Sequence, residues 1–187
     1  MPKAKKKKED RIDPDDMRAT VKADDKYKTF RRIVKNLSQE IDIEKMHEEI
    51  LRLHSGRKSR GLYLKRPSVD AVVEAALQDS AYRSRIAEIR VEASYNLGLL
   101  EETVDKIRKH LMREFRDTLT DLRTKGERMA FADQYLDSGL SLMGKIGRLV
   151  NTADSIIKDI DQSGFSYKHV VDSLSILYSS KNDKKNV

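Results

Sequence analysis

The run Ile86-Ala87-Glu88-Ile89-Arg90-Val91-Glu92-Ala93, continued by Leu97, Leu100, Val104, Ile107 and Leu111, decides the fold. Its apolar residues recur at steps of three or four, the spacing that lines one face of an α-helix. Charged residues fill most positions between them. The pattern extends through Phe115, Leu119 and Leu122, and the surrounding stretch from Pro67 to Arg123 contains no further proline. Pro67, with Ser68 as an N-cap and Asp70 in the first turn, suits a helix start. A helix of roughly 55 residues, about 80 Å long, cannot bury such a seam against itself. It needs partners, from the same chain or from copies of it.

Composition points the same way. The 187 residues are 37% charged and 38% hydrophobic, with no Trp and three prolines, which favours helices with thin apolar seams over a compact mixed fold. The expected class is all-α: an elongated helical protein with a long central helix and C-terminal helices that form an oligomerisation hub. Thin seams gain stability by pairing with other seams, so a homo-oligomer is expected. The net charge of +7 suits an anionic partner such as nucleic acid or a membrane surface. The absence of cysteine excludes thiol catalysis and disulfides. No apolar run reaches the roughly 18 residues of a membrane span, and Lys3 to Lys8 precede no signal-peptide apolar region, so a protein without a membrane partner is expected.

Outward from the long helix, residues 1–23 read as a disordered tail, with a lysine run (Lys3, Lys5, Lys6, Lys7, Lys8) and an acidic turn at Asp13 to Asp16. The lysines serve either a nucleic-acid arm or a solubilising tail. Residues 24–66 form a helical arm and a basic loop. Tyr27, Phe30, Val34 and Leu37 share a stripe bordered by Lys26, Lys28, Arg31, Arg32 and Lys35. A second helix spans Ser38 to Leu53 with Ser38 as its cap. His47 and His54 lie too far apart for a zinc-protease pattern.

From Ser55 to Pro67 the helices should break. Gly56 and Gly61 bracket Arg57, Lys58 and Arg60, and Tyr63, Lys65 and Arg66 follow. Such a loop can track a phosphate backbone while Tyr63 stacks on a base; the alternative is a solvated basic linker. A further cationic patch, Lys106, Arg108, Lys109, Arg113 and Arg116, is either a contact or an ordinary solvated face.

The long helix should occupy 67–125 and a C-terminal oligomerisation region 126–180. Its stripe is Tyr135, Leu142, Ile146, Leu149, Ala153, Ile156 and Ile160, accompanied by Gly139, Gly144 and Gly147. Gly164 suits a helix end with Phe165 folded back on Ile160, followed by a last helix burying Val170, Val171, Leu174 and Leu177. Residues 181–187 should form a disordered tail. No catalytic constellation, cofactor motif or metal motif is present, so an enzyme is not expected.

Two short motifs add a resemblance. Gly164-Phe165-Ser166-Tyr167-Lys168-His169-Val170-Val171-Asp172 resembles the C-terminal Gly-Phe-x-x-Lys-His-Ile/Val-x-Asp stretch of the UvsY-type phage recombination mediators. Ile89-Arg90-Val91-Glu92-Ala93 is similar to that family's Leu-Arg-Ile-Glu-Ala segment, at a comparable separation. The similarity runs from about Val69 to Leu177. It implies an all-helical, ring-forming oligomer, a hexamer or heptamer, that binds single-stranded DNA. It further implies helping a RecA-like recombinase displace single-strand-binding protein, in the bacterial host cytoplasm if the chain is phage-encoded. It places the oligomer hub at Tyr135 to Leu177, with Phe165, Val170 and Leu174 in it. Where the family carries a basic Leu-Lys-Ala-Arg motif, this chain has Leu99-Leu100-Glu101-Glu102. DNA contact is therefore expected at Lys106, Arg108 and Lys109 or at the loop of Arg57, Lys58 and Arg60. A helical scaffold, or a nucleic-acid-binding regulator with no recombinase partner, remains the alternative.

Overall fold

The structure is a computed structural model that describes the backbone of residues 14–61, 69–116 and 124–183, with side chains over 17–57, 69–116 and 124–176. The chain is all-α, with no strand among the described residues. Its helices are α1 (Pro14–Ala23), α2 (Asp25–Glu40), α3 (Ile43–Gly61), α4 (Val69–Glu114) and α5 (Lys125–Asp183). The long helices α4 and α5 pack against each other. The chain divides into two compact units, one from Met1–Ile41 and Asn96–Gly144, the other from Asp42–Tyr95 and Lys145–Val187.

In the first unit, α1 and α2 cover the C-terminal part of α4 and the N-terminal part of α5. The α2 stripe is buried as its spacing predicts: Tyr27, Phe30, Val34 and Leu37. Facing it are Leu100, Val104, Ile107 and Leu111 of α4 and Ala132, Leu136 and Leu142 of α5, all buried. Asp24 caps α2 by accepting the Tyr27 amide at 2.8 Å. Thr124 and Glu127 form a reciprocal capping box at the start of α5, each side chain accepting the other's amide, at 3.1 and 3.0 Å. The Tyr27 hydroxyl donates to the Tyr135 carbonyl at 3.0 Å, and the two rings meet edge to face.

The second unit packs α3 on the N-terminal part of α4 and the C-terminal part of α5. Its core is Ile50, Val72, Ala75, Ile86, Ile89, Ala93, Ile146, Leu149, Ala153, Ile156 and Ile160. Arg83 pairs with Asp161 and Arg90 with Asp154. Seven residues forward on α4 match seven backward on α5, so here the two segments run antiparallel in heptad register.

Several sequence expectations change. Residues 14–23 of the expected tail form α1, because Met17 and Val21, four apart, find a core to enter. Ser38 lies inside α2 and donates to the Lys35 carbonyl; Asp42 caps α3 instead, accepting the Lys45 amide at 3.0 Å. The break expected at Ser55 is absent, and α3 continues to Gly61. At Gly98, a lone glycine that could mark a kink, a close helix crossing or nothing, α4 runs on unbroken. Gly164 does not end α5: the helix passes through it, and Phe165 points to solvent, 70% exposed. The lysine run at Lys3 to Lys8, Tyr63, Lys65, Arg66, Leu119, Leu122 and the 184–187 end lie outside the described residues, as do the side chains of Lys58, Arg60 and Leu177.

Candidate nucleic-acid interface

Phosphate recognition needs cations whose charge is not already spent inside the protein. Arg57, the first expected contact, is spent. Its side chain is 7% exposed and lies in the second unit, where Nε donates to Asp79 at 3.1 Å and Nη1 to Asp159 at 2.8 Å. Nη2 donates to Ser163 at 2.9 Å, and the Tyr167 hydroxyl donates to the other Asp79 oxygen at 3.3 Å. Burial pulls the Arg57 pKa down, but the hydrogen bonds to both carboxylates outweigh it and hold the guanidinium above its usual range. This cluster joins α3, α4 and α5; it is a structural clamp.

The long-helix candidates belong to the first unit. Arg108 pairs with Asp133 at 2.7 Å and is 21% exposed, so it too ties α4 to α5. Lys106 and Lys109 pair one turn back with Glu102 and Asp105 and stay 72% and 75% exposed. Exposed pairs of this kind are worth little, about 0.3–0.5 kcal/mol, and an arriving phosphate can replace the carboxylate. Arg113 and Arg116 are exposed beyond them.

A cationic face lies on α2 of the same unit. Lys28, Arg31, Arg32 and Lys35 follow the spacing of one helix face, and all are exposed. Lys28 is held by Asp25 at 3.0 Å. Arg31, Arg32 and Lys35 carry no ion pair among the described residues. With Val34, Ser38 and Ser138 of α5, these four cations line a groove of about 520 Å³. On the other side of α2 a second groove, about 320 Å³, runs to α4. It has Lys26, Lys106 and His110 at its edges, Thr29 and Thr103 as polar lining, and Phe30, Ile33 and Ile107 as an apolar floor. The α2 helix is thus a ridge with cations on both flanks. Sequence reading noted these residues as the border of an apolar stripe and did not select them; their i, i+3, i+4, i+7 spacing on one helix face was the available signal.

At the edge of the second groove, His110 and Asp24 fix the ridge: His110 Nε2 lies 3.0 Å from Asp24 Oδ2 while Oδ1 caps α2. Burial acts to raise the Asp24 pKa, yet the His110 hydrogen bond, the Tyr27 amide and the charge of His110 prevail and lower it.

Six of the residues expected to join copies are buried within the single chain. Leu142, Ile146, Leu149, Ala153, Ile156 and Ile160 are at most 7% exposed, and Tyr135, Val170 and Leu174 are half-buried. Only Phe165 of that set is open. Of the two family-like motifs, Arg90 is the Asp154 partner and Ala93 is core, while Val91 is 62% exposed. Lys168 and His169 of the second motif are exposed.

Among the described residues no group of His, Cys, Asp and Glu is arranged to hold a metal ion, and no helix is long and apolar enough to cross a membrane. No family model, curated protein or solved structure matches this chain.

Proposed function

We propose that this chain is a recombination mediator. In this reading it binds single-stranded DNA as a homo-oligomer and helps a RecA-like recombinase replace single-strand-binding protein, in a bacterial cytoplasm. The observation that carries the DNA-binding part is the α2 face, where Arg31, Arg32 and Lys35 stand exposed beside a groove with no carboxylate partner among the described residues. Phosphate neutralisation by such a face is independent of sequence and steeply dependent on salt. Several subunits holding one strand would turn weak contacts into tight binding. The recombinase and the displaced protein rest on the motif resemblance alone.

The test is fluorescence anisotropy with labelled oligo-dT, on the native chain and on the Arg31→Ala/Arg32→Ala/Lys35→Ala variant. Binding should weaken at least tenfold in the variant. Equal affinity would reject the α2 face, and no binding by the native chain would reject the function. Stimulation of a RecA-like recombinase on protein-coated strand then separates a mediator from a generic binder.

A scaffold reading is favoured by a different observation, the open apolar residues Leu77, Val91 and Tyr95 on α4, which invite protein contact. A scaffold would assemble in the same way with or without the strand, and sedimentation with oligo-dT distinguishes the two.

A further inference from the structure

The α4 segment of the second unit has two apolar faces. One is core, with Val72, Ala75, Ile86, Ile89 and Ala93 buried. On the other side of the helix Val69, Val73, Leu77, Val91 and Tyr95 are 38, 48, 68, 62 and 72% exposed. Small Ser84 and Ala87 lie in line between Leu77 and Val91 and, with Glu88, Val91, Glu92 and Tyr95, line a shallow groove of about 650 Å³. These exposures leave on the order of 500 Å² of apolar surface on one stripe, near the upper end of what monomers carry and over half of the ~800 Å² that each partner gives to a standard interface.

We infer that this outward face of α4 docks a second copy of the chain, with the two α4 helices side by side and parallel. The inference rests on the oligomeric part of the proposed function and gives it a surface, since the C-terminal seam is filled from within the chain. Self-complementarity argues for a copy. Along the stripe Leu77, Ser84 and Val91 repeat at seven residues, as do Val73, Ser80 and Ala87, the two core positions of a heptad. Arg83 and Arg90 then border one side, and Glu74, Glu88 and Tyr95 the other.

In a parallel pair each border meets the opposite border of the neighbour five residues on. Arg83 faces Glu88 of the second copy, and Arg90 faces the ring of its Tyr95, a cation over an aromatic face. Both arginines are held by α5 carboxylates yet remain 47% and 41% exposed, so they are pre-positioned and still reachable. An antiparallel pair would instead bring the acidic border onto itself. Ser84 and Ala87 let the two backbones approach.

Sedimentation equilibrium of the full chain tests this at micromolar concentration. The native chain should associate, and Leu77→Asp/Val91→Asp should associate at least tenfold more weakly, with unchanged helical circular dichroism because both positions are solvent-facing. A monomeric native chain, whether the stripe is idle or serves another protein, overturns the inference, as does undiminished association of the variant. Direction is read by disulfide trapping, which the absence of native cysteine permits. Leu77→Cys alone and Val91→Cys alone should each form covalent dimers on mild oxidation; cross-linking only in their mixture would overturn the parallel geometry. Binding of an oligo-dT short enough for one subunit separates the two proposals. The Asp variant should retain it within twofold, and its absence from the native chain would reject DNA binding while leaving the association result standing.

Discussion

Phe30 of α2 lies over Gly139 of α5 so closely that a Cβ on Gly139 would sit 2.8 Å from the ring carbon Cζ. Val104 of α4 closes the same spot from another side, 3.2 Å from that Cβ. Three helices meet at a position where only hydrogen fits. The glycine is there for a neighbouring ring, since its backbone is ordinary helix.

Gly139→Ala should therefore destabilise the chain although alanine is the better helix former. Propensity favours the alanine by about 1 kcal/mol, while forced repacking of a tight core costs about 1–3 kcal/mol. A net loss of about 1 kcal/mol is expected in urea unfolding. Gly147→Ala and Gly98→Ala, where nothing lies within 4 Å, should instead gain up to about 1 kcal/mol each. Equal responses at the three positions would refute the role of Phe30.

The clamp around Arg57 predicts a stability effect where the sequence suggested a binding effect. Arg57 and Asp79 are 7% and 6% exposed, so Asp79→Ala leaves the buried guanidinium with only Asp159 and Ser163, at a cost of about 1.5–3 kcal/mol. Replacing both, Arg57→Met with Asp79→Leu, should recover most of that loss. Tyr167→Phe removes a single hydrogen bond, worth about 1 kcal/mol. Denaturant midpoints check all three. Oligo-dT affinity of any variant that stays folded should not change, and a selective loss of affinity in the double variant would return Arg57 to the DNA site.

These two clusters show why the fold was more legible than the site. The stripes of α2 and α4 repeat at helical spacing, and burial follows directly from that geometry. Glycine is a weaker sign, because its cost of about 1 kcal/mol is readily met by tertiary contacts. The α3 helix passes Gly56 because the next residue, Arg57, anchors it to α4 and α5; α5 passes Gly164 because Ser163 and Tyr167 on either side join the same cluster. Met17 and Val21 of α1 are two apolar residues in a polar run, too few to announce a helix without the core they enter. The charged residues were the least legible. Arg57, Arg108 and Arg31 look alike in a sequence, and only the carboxylates brought across from distant positions separate a structural cation from one with no ion pair among the described residues.

Acid should expose the cap of α2. The folded state lowers the Asp24 pKa, so this group stabilises the fold above its unfolded pKa of about 3.9 and the contribution fades as pH falls through the lower folded value. Asp24→Asn keeps a good capping side chain but removes the charge beside His110. Native and variant chains should therefore differ in unfolding free energy at pH 6 and converge once the pH has fallen below the lowered folded value of Asp24. Asp24→Ala removes the cap as well and should cost about 1 kcal/mol more than Asp24→Asn at every pH. A difference between the native chain and Asp24→Asn that persisted unchanged into acid would show that charge plays no part at this position.

The salt dependence of single-strand binding gives a count of the cations engaged. Each phosphate neutralised on a single strand contributes about −0.7 to the slope of log affinity against log salt. Removing Arg31, Arg32 and Lys35 together should flatten the slope by about 2 if each meets a phosphate. Lys106→Ala, at the edge of the second groove, should change it by no more than about 0.7, since Lys106 must first leave Glu102. Arg108→Ala should leave the slope unaltered and lower the unfolding midpoint, because Arg108 is half-buried against Asp133. If instead Arg108→Ala flattened the slope while the α2 variant kept it, the strand would run along α4, and the ion pairs seen there would be ones that DNA displaces.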